Sequence, residues 1–225
     1  MYLSRLQVNP ARRHARALLR SPHRMHGAVL AGFARPMDST TDRQRILWRL
    51  DQHNHQTMLY IVSPDRPDLT HLVEQAGWPA TETWLTRPYR PLLDRLATDQ
   101  QWAFRLTANP VRNGRLRENQ PTTRRLGHVT VTQQTKWLLD RAKQHGFDVV
   151  TGPQCLPNLL VHDRTTTSFD RANTQPPVTL RTATYDGVLE VTDPVALRHA
   201  LTAGIGHAKA YGCGLMTLAP LATAT

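Results

Sequence analysis

Cysteine is almost missing from these 225 residues: Cys155 and Cys213 stand alone, with no CxxC pair and no Cys/His spacing of a zinc site. That excludes a disulfide scaffold and a zinc ribbon, and it suits a reducing compartment. Aromatic residues make up only 6 % of the chain, and no stretch interleaves Phe or Tyr as the RNP1 strand of an RRM does. No apolar run approaches the roughly eighteen residues that a membrane-spanning helix needs. The opening MYLSRLQVNPARRHARALL lacks the apolar core of a signal peptide. A soluble, cytoplasmic protein with no membrane partner is expected. Acidic residues are not clustered, so no magnesium site is expected, and no other cofactor.

Lysine is also rare, at Lys136, Lys143 and Lys209 only, yet Lys and Arg together number 28 against 17 acidic residues. The formal charge of +11 therefore rests on arginine. Its planar fork suits phosphate and stacks on bases, so a polyanionic partner is expected, nucleic acid ahead of a membrane surface. An arginine-rich composition also follows from a GC-rich genome, which leaves open a basic protein with no specific polyanion.

Periodicity gives a mixed α+β chain. Tyr2–Val8 reads as a short strand, stopped by Asn9-Pro10, which opens a helix over Ala11–Leu19. Ser21-Pro22 repeats that start signal for a second helix over His23–Phe33. Ile46, Trp48 and Leu50 alternate in Arg43–Asp51 as in a half-buried strand, and Thr57–Ser63 reads as a strand buried on both faces. Asp68–Ala76 is a short helix, and Tyr89–Leu96 leads to a strand at Gln101–Ala108. Strand–helix–strand–strand–helix–strand is the split pattern of a ferredoxin-like fold. After the arginine-rich loop Arg112–Arg125, a helix over Val129–Gln144 is followed by strands at Phe147–Val150, Leu156–Asp163, Val178–Tyr185 and Gly187–Val191. A capped helix over Val195–Thr202 and a final strand from Gly214 repeat the pattern. Two tandem ferredoxin-like (RRM-like) domains are expected, residues 1–95 and 96–225.

Three segments carry chemistry. In SPHRMHGAVL (21–30), Met25, Val29 and Phe33 form an apolar helical stripe, and His26 lies about 100 degrees off it. His23, at i, i+3 from His26, faces the same small volume, and Arg24 adds positive charge that favours neutral imidazoles. Two histidines titrating near neutrality suit acid–base cleavage of RNA, whose 2′-hydroxyl is its own nucleophile. With eleven histidines in the chain, ordinary surface or core roles are the competing reading of this pair. Gly204, Gly206, His207, Lys209 and Tyr211 sit in a glycine-rich segment whose amides could approach a phosphate, or which simply turns into the last strand. Arg112, Arg115, Arg117, Arg124 and Arg125 crowd one loop, and Arg164, Arg171 and Arg181 flank a hairpin. A solvated face is the usual fate of such runs, but their concentration favours an RNA-backbone surface.

Taken in order, MYLSRL with NPARR (1–13), SPHRMH (21–26), RILWRLD (45–51), RLTANP (105–110) and GIGHAKAYGCGLMTLAP (204–220) resemble the pre-crRNA endoribonucleases of type I-E CRISPR systems, the CasE (Cse) family. The resemblance implies metal-independent cleavage 3′ of a CRISPR repeat stem-loop, leaving a 2′,3′-cyclic phosphate. It implies as partners the repeat RNA and the other Cascade subunits, chiefly the crRNA backbone subunit. The family's catalytic histidine falls on His26. A tyrosine commonly stands where this chain has His23, so position 23 either transfers a proton or only orients the phosphate. The implied RNA-binding set comprises Arg24, Arg112, Arg115, Arg124, Arg125, Arg164, Arg171, Gly204, Gly206, His207, Lys209 and Tyr211, with the 160–180 hairpin entering the stem. A binding-only relative of the same fold is the alternative, and a DNA-binding regulator finds no helix-turn-helix.

Overall fold

Alternation builds the first sheet. In β1 (Tyr2–Val8), Ser4, Leu6 and Val8 point to one face and are buried, while Arg5 and Gln7 are exposed. The computed structural model describes residues 1–34, 45–53, 56–78, 83–114, 124–169 and 177–221. After β1 come α1 (Arg13–Arg20), α2 (Pro22–Leu30), β2 (Leu47–His53), β3 (Gln56–Ser63), α3 (Thr70–Ala76) and β4 (Trp84–Pro88). The four strands lie in the order β2-β3-β1-β4, all antiparallel, which is the ferredoxin-like arrangement. Leu6, Val8, Trp48, Leu59 and Ile61 face the helices, where Ala15, Met25, Val29 and Leu72 complete one core.

A single turn of helix, α4 (Arg90–Asp94), leads to the second unit. It contains β5 (Gln101–Ala108), the small hairpin β6 (Val111–Gly114) and β7 (Arg124–Gly127), α5 (Val131–Ala142), β8 (Phe147–Val149), β9 (Leu159–Phe169), β10 (Val178–Val191), α6 (Pro194–Ala203) and β11 (Met216–Ala219). Its sheet runs β11-β5-β10-β8, with β9 pairing the other stretch of β10. The ferredoxin-like order is thus repeated, with the second strand split into β8 and β9. Thr130 caps α5 in a capping box with Gln133, and Asp193 caps α6 through the amides of Val195 and Ala196.

Several elements depart from the sequence expectation. β4 closes the first sheet, a place the periodicity does not mark because WLTRP is short and ends in proline; Gln101–Ala108 opens the second sheet instead. Val178–Tyr185 and Gly187–Val191 are one strand. Gly187 does not break it but admits the Asn158 carbonyl, which a Cβ would meet at 2.5 Å. β9 reaches Phe169, well beyond Asp163. β2 begins at Leu47 and is not half-buried: Leu47, Trp48 and Arg49 are all buried, because the second unit covers its other face.

That covering is fixed by Arg49, 1 % exposed. Its guanidinium holds Asp51 in a bidentate pair at 2.6 and 2.9 Å. It also donates to the carbonyls of Arg105 (2.8 Å) and Leu215 (3.0 Å) and to the Thr217 hydroxyl (2.9 Å). All five N–H groups are thus bonded, three of them across the two units. The Tyr60 ring lies 5.4 Å from its centre. Arg198 fastens α6 to the connecting segment, donating to the carbonyls of Leu93 (2.6 Å) and Leu96 (2.9 Å). Removing one partner of a buried pair strands the other. Arg49→Ala is therefore expected to lower unfolding free energy by about 3–5 kcal/mol in urea titration. An unchanged midpoint would show that the two units do not depend on this clamp.

Candidate active site and RNA-facing surface

The Ser21 hydroxyl accepts from the Arg24 amide at 3.3 Å and Pro22 opens the helix, so α2 starts where the sequence signals it. Met25 and Val29 then fill the core at 1 % and 0 % exposure. One residue on from Met25, His26 falls at the rim of that core and is half-buried, while His23 and Arg24 are exposed. The Trp48 indole N–H donates to Nδ1 of His26 at 3.3 Å. Burial, and next the charge of His23, hold the His26 imidazole below the ordinary histidine range. The two histidines therefore share one electrostatic environment.

The glycine-rich segment wraps the edge strand β2. Gly204 lies against Leu47 on one face, and Gly212 lies against the Trp48 ring on the other. A Cβ would stand 2.9 Å from Leu47 Cδ2 and 2.8 Å from Trp48 Cζ3, and both glycines have φ of +79°, so glycine is required twice over. Gly206 packs on Trp137. These glycines let the segment pack closely on β2 and α5. Between them, the 3₁₀ turn Lys209–Tyr211 packs against α2. The Tyr211 ring meets Phe169 edge-on at 4.9 Å, tying the turn to the end of β9.

Two recesses meet at Tyr211. One lies between α1–α2 and the β9–β10 hairpin, lined by Leu19, Pro22, Met25, Trp48, Thr165 and Tyr211. The other is a groove with Asn109, Leu126, Gly127, Arg181 and His207 on its walls. Arg112 is exposed on β6, and Arg124 and Arg125 occupy β7 opposite Gly114 and Asn113, so this hairpin borders the same groove. Arg164 donates to Gln134 Oε1 at 2.9 Å and to the Val129 carbonyl, which fastens β9 to the start of α5. Arg115 and Arg171 lie outside the described residues, as does Arg117. Among the described residues, no three His, Cys, Asp or Glu side chains converge as a metal site, and no helix is long and apolar enough to cross a membrane.

A family model described as CRISPR associated protein matches residues 1–220. The chain belongs to the CRISPR associated protein family. It is 29 % identical over 227 residues to the CRISPR-associated endoribonuclease Cse3 of Thermus thermophilus, covering 98 % of this chain and 100 % of that one. A 42-residue stretch, 19 % of this chain and 21 % of the other, is 48 % identical to the CRISPR system Cascade subunit CasE of Escherichia coli. Among solved structures, Cse3 bound to a 19-nucleotide RNA matches with a TM-score of 0.80 at 27 % identity, covering 98 % of this chain and all of that one. Cse3 bound to an RNA representing a pre-cleavage complex matches at 0.79 and 27 % identity, covering 97 % and 98 %.

In this CRISPR associated protein, Trp48 is the site residue that sequence reasoning missed. Alternation marked it as an ordinary core residue, and only its placement beside α2 reveals the indole N–H on His26. Gly212→Ala should lower stability by about 1–3 kcal/mol in thermal melts, since it forces a strained φ and pushes the Trp48 ring. A variant as stable as the parent would mean that the segment does not press on β2 as described.

Proposed function

We propose that this chain is a metal-independent endoribonuclease that cuts CRISPR repeat RNA at the 3′ base of its stem-loop. It stays on the processed hairpin as a subunit of Cascade in the cytoplasm, next to the crRNA backbone subunit. The observation that carries this reading is the placement of His26 and His23 on one helix, against the turn that holds Lys209 and Tyr211. The relation to Cse3 along nearly the whole chain supports it, as does that protein's capture with RNA in a pre-cleavage complex.

In the proposed reaction the 2′-hydroxyl gives its proton to an accepting group, O2′ bonds to phosphorus, and the P–O5′ bond breaks as a proton reaches O5′. The product is a 2′,3′-cyclic phosphate. His26 and His23 are the two histidines that act at these steps, and Arg24 and Lys209 supply positive charge for the phosphorane. Residues 1–95 would carry this chemistry. Residues 96–225 would hold the hairpin through Arg112, Arg115, Arg124, Arg125, Arg164, Arg171, Gly204, Gly206, His207 and Tyr211.

The test is single-turnover cleavage of the host repeat hairpin in EDTA, beside a 2′-deoxy substitution at the cut and a His26→Ala protein. Cleavage of the all-ribose RNA by the parent alone is expected, with a loss of at least about a hundredfold in the variant. Tight binding with no cleavage in any reaction would make this a holding protein.

A further inference from the structure

A hydrogen bond from an indole is one-directional. Trp48 Nε1 carries a hydrogen and no lone pair, so the atom it meets must accept. That atom is Nδ1 of His26, 3.3 Å away. An accepting Nδ1 has no hydrogen, so the proton of the neutral ring resides on Nε2. Trp48 cannot easily turn away, being 2 % exposed, with its six-membered ring against the Gly212 backbone.

We propose that Trp48 is a positioning residue that holds neutral His26 as its Nε2–H tautomer, so that His26 donates a hydrogen bond to a phosphate oxygen of the RNA and does not accept the 2′-hydroxyl proton. This rests on the endoribonuclease reading and sharpens it. Taking that proton through Nε2 would require the hydrogen on Nδ1, where it would point at the Trp48 N–H. The accepting role then falls to His23, which is exposed and free of that constraint, and the proton it takes from O2′ is the one returned to the leaving O5′. Neutral imidazoles held as hydrogen-bond donors are an established way to stabilise developing negative charge.

Charged neighbours do not reverse this preference. On its own helix His26 has His23 and Arg24; α1 brings Arg13, His14, Arg16 and Arg20. β2 brings Arg49, Asp51 and His53, and α3 brings His71 and Glu74, with His71 bonded to the Ala28 carbonyl. The 3₁₀ turn adds Lys209 and Tyr211. Of the carboxylates on these elements, Asp51 is already held by Arg49. Burial and His23 both act against a protonated His26.

The experiment is ¹⁵N NMR of the His26 ring in the intact protein above its titration range, assigned by the signal lost in His26→Gln, and repeated in Trp48→Phe. The parent should show hydrogen on Nε2 and none on Nδ1. The variant keeps a ring against Gly212 but should give a tautomer mixture, and its His26 should titrate at higher pH by up to about one unit. In single-turnover cleavage, the high-pH plateau of Trp48→Phe should fall about two- to tenfold, the weight of one neutral hydrogen bond, with hairpin affinity unchanged. A hydrogen on Nδ1 in the parent, an unchanged tautomer in the variant, or a plateau that rises would overturn the proposal. The parent's tautomer is read without substrate and without Trp48→Phe, so it is decided even if that variant fails to fold. An Nε2–H tautomer in a protein that cuts no RNA would overturn the endoribonuclease reading alone.

Discussion

Arg49 places a full charge where water does not reach, at a cost of several kcal/mol that only complete pairing offsets. The pairing is complete: a carboxylate on its own strand, and two carbonyls and a hydroxyl from the second unit. Because these partners lie on fixed strands, the bonds form in one register only. β2 is thereby locked between the two units, and the alternation of a strand does the rest. With Arg49 turned toward the second unit, Trp48 must face the helices of the first, under α2. The position of the His26 ring is thus a consequence of a polar clamp on the opposite side of the same strand.

The closing segment completes the arrangement from outside. An edge strand with free N–H and C=O groups invites pairing with another chain, and covering it is a common defence. Here the cover is Gly204–Gly214, close enough to β2 only because Gly204 and Gly212 lack a Cβ. The same segment delivers Tyr211 and Lys209 to α2. Stability and function are joined in it, since the residues that protect the edge also set the wall of the proposed RNA site.

Much of this was legible in the sequence, for identifiable reasons. Asn9-Pro10, Ser21-Pro22 and Asp193-Pro194 are strong local signals, and the strands beginning at Tyr2, Thr57 and Gln101 have clear patterns, so the doubled βαββαβ order could be read. His26 could be placed off the apolar stripe because helical geometry fixes it once Pro22 sets the start. β4 could not be read, since five residues with two polar side chains and a terminal proline carry little period. Nor could Arg49: an arginine between large apolar residues looks like an outward position until a second unit is known to cover it. Trp48 shares that limit, and so does the glycine segment, whose composition suits a phosphate cradle as well as a tight wrap.

The most direct test of the account is the chemical identity of the new 3′ end. Repeat hairpin cut by the parent protein in EDTA would be analysed by mass spectrometry of the 5′ fragment. A 2′,3′-cyclic phosphate is expected, the product that attack by the RNA's own 2′-hydroxyl must leave. A fragment ending in a 3′-hydroxyl, with the phosphate on the downstream piece, would contradict it, because water and not the 2′-oxygen would then have been the nucleophile.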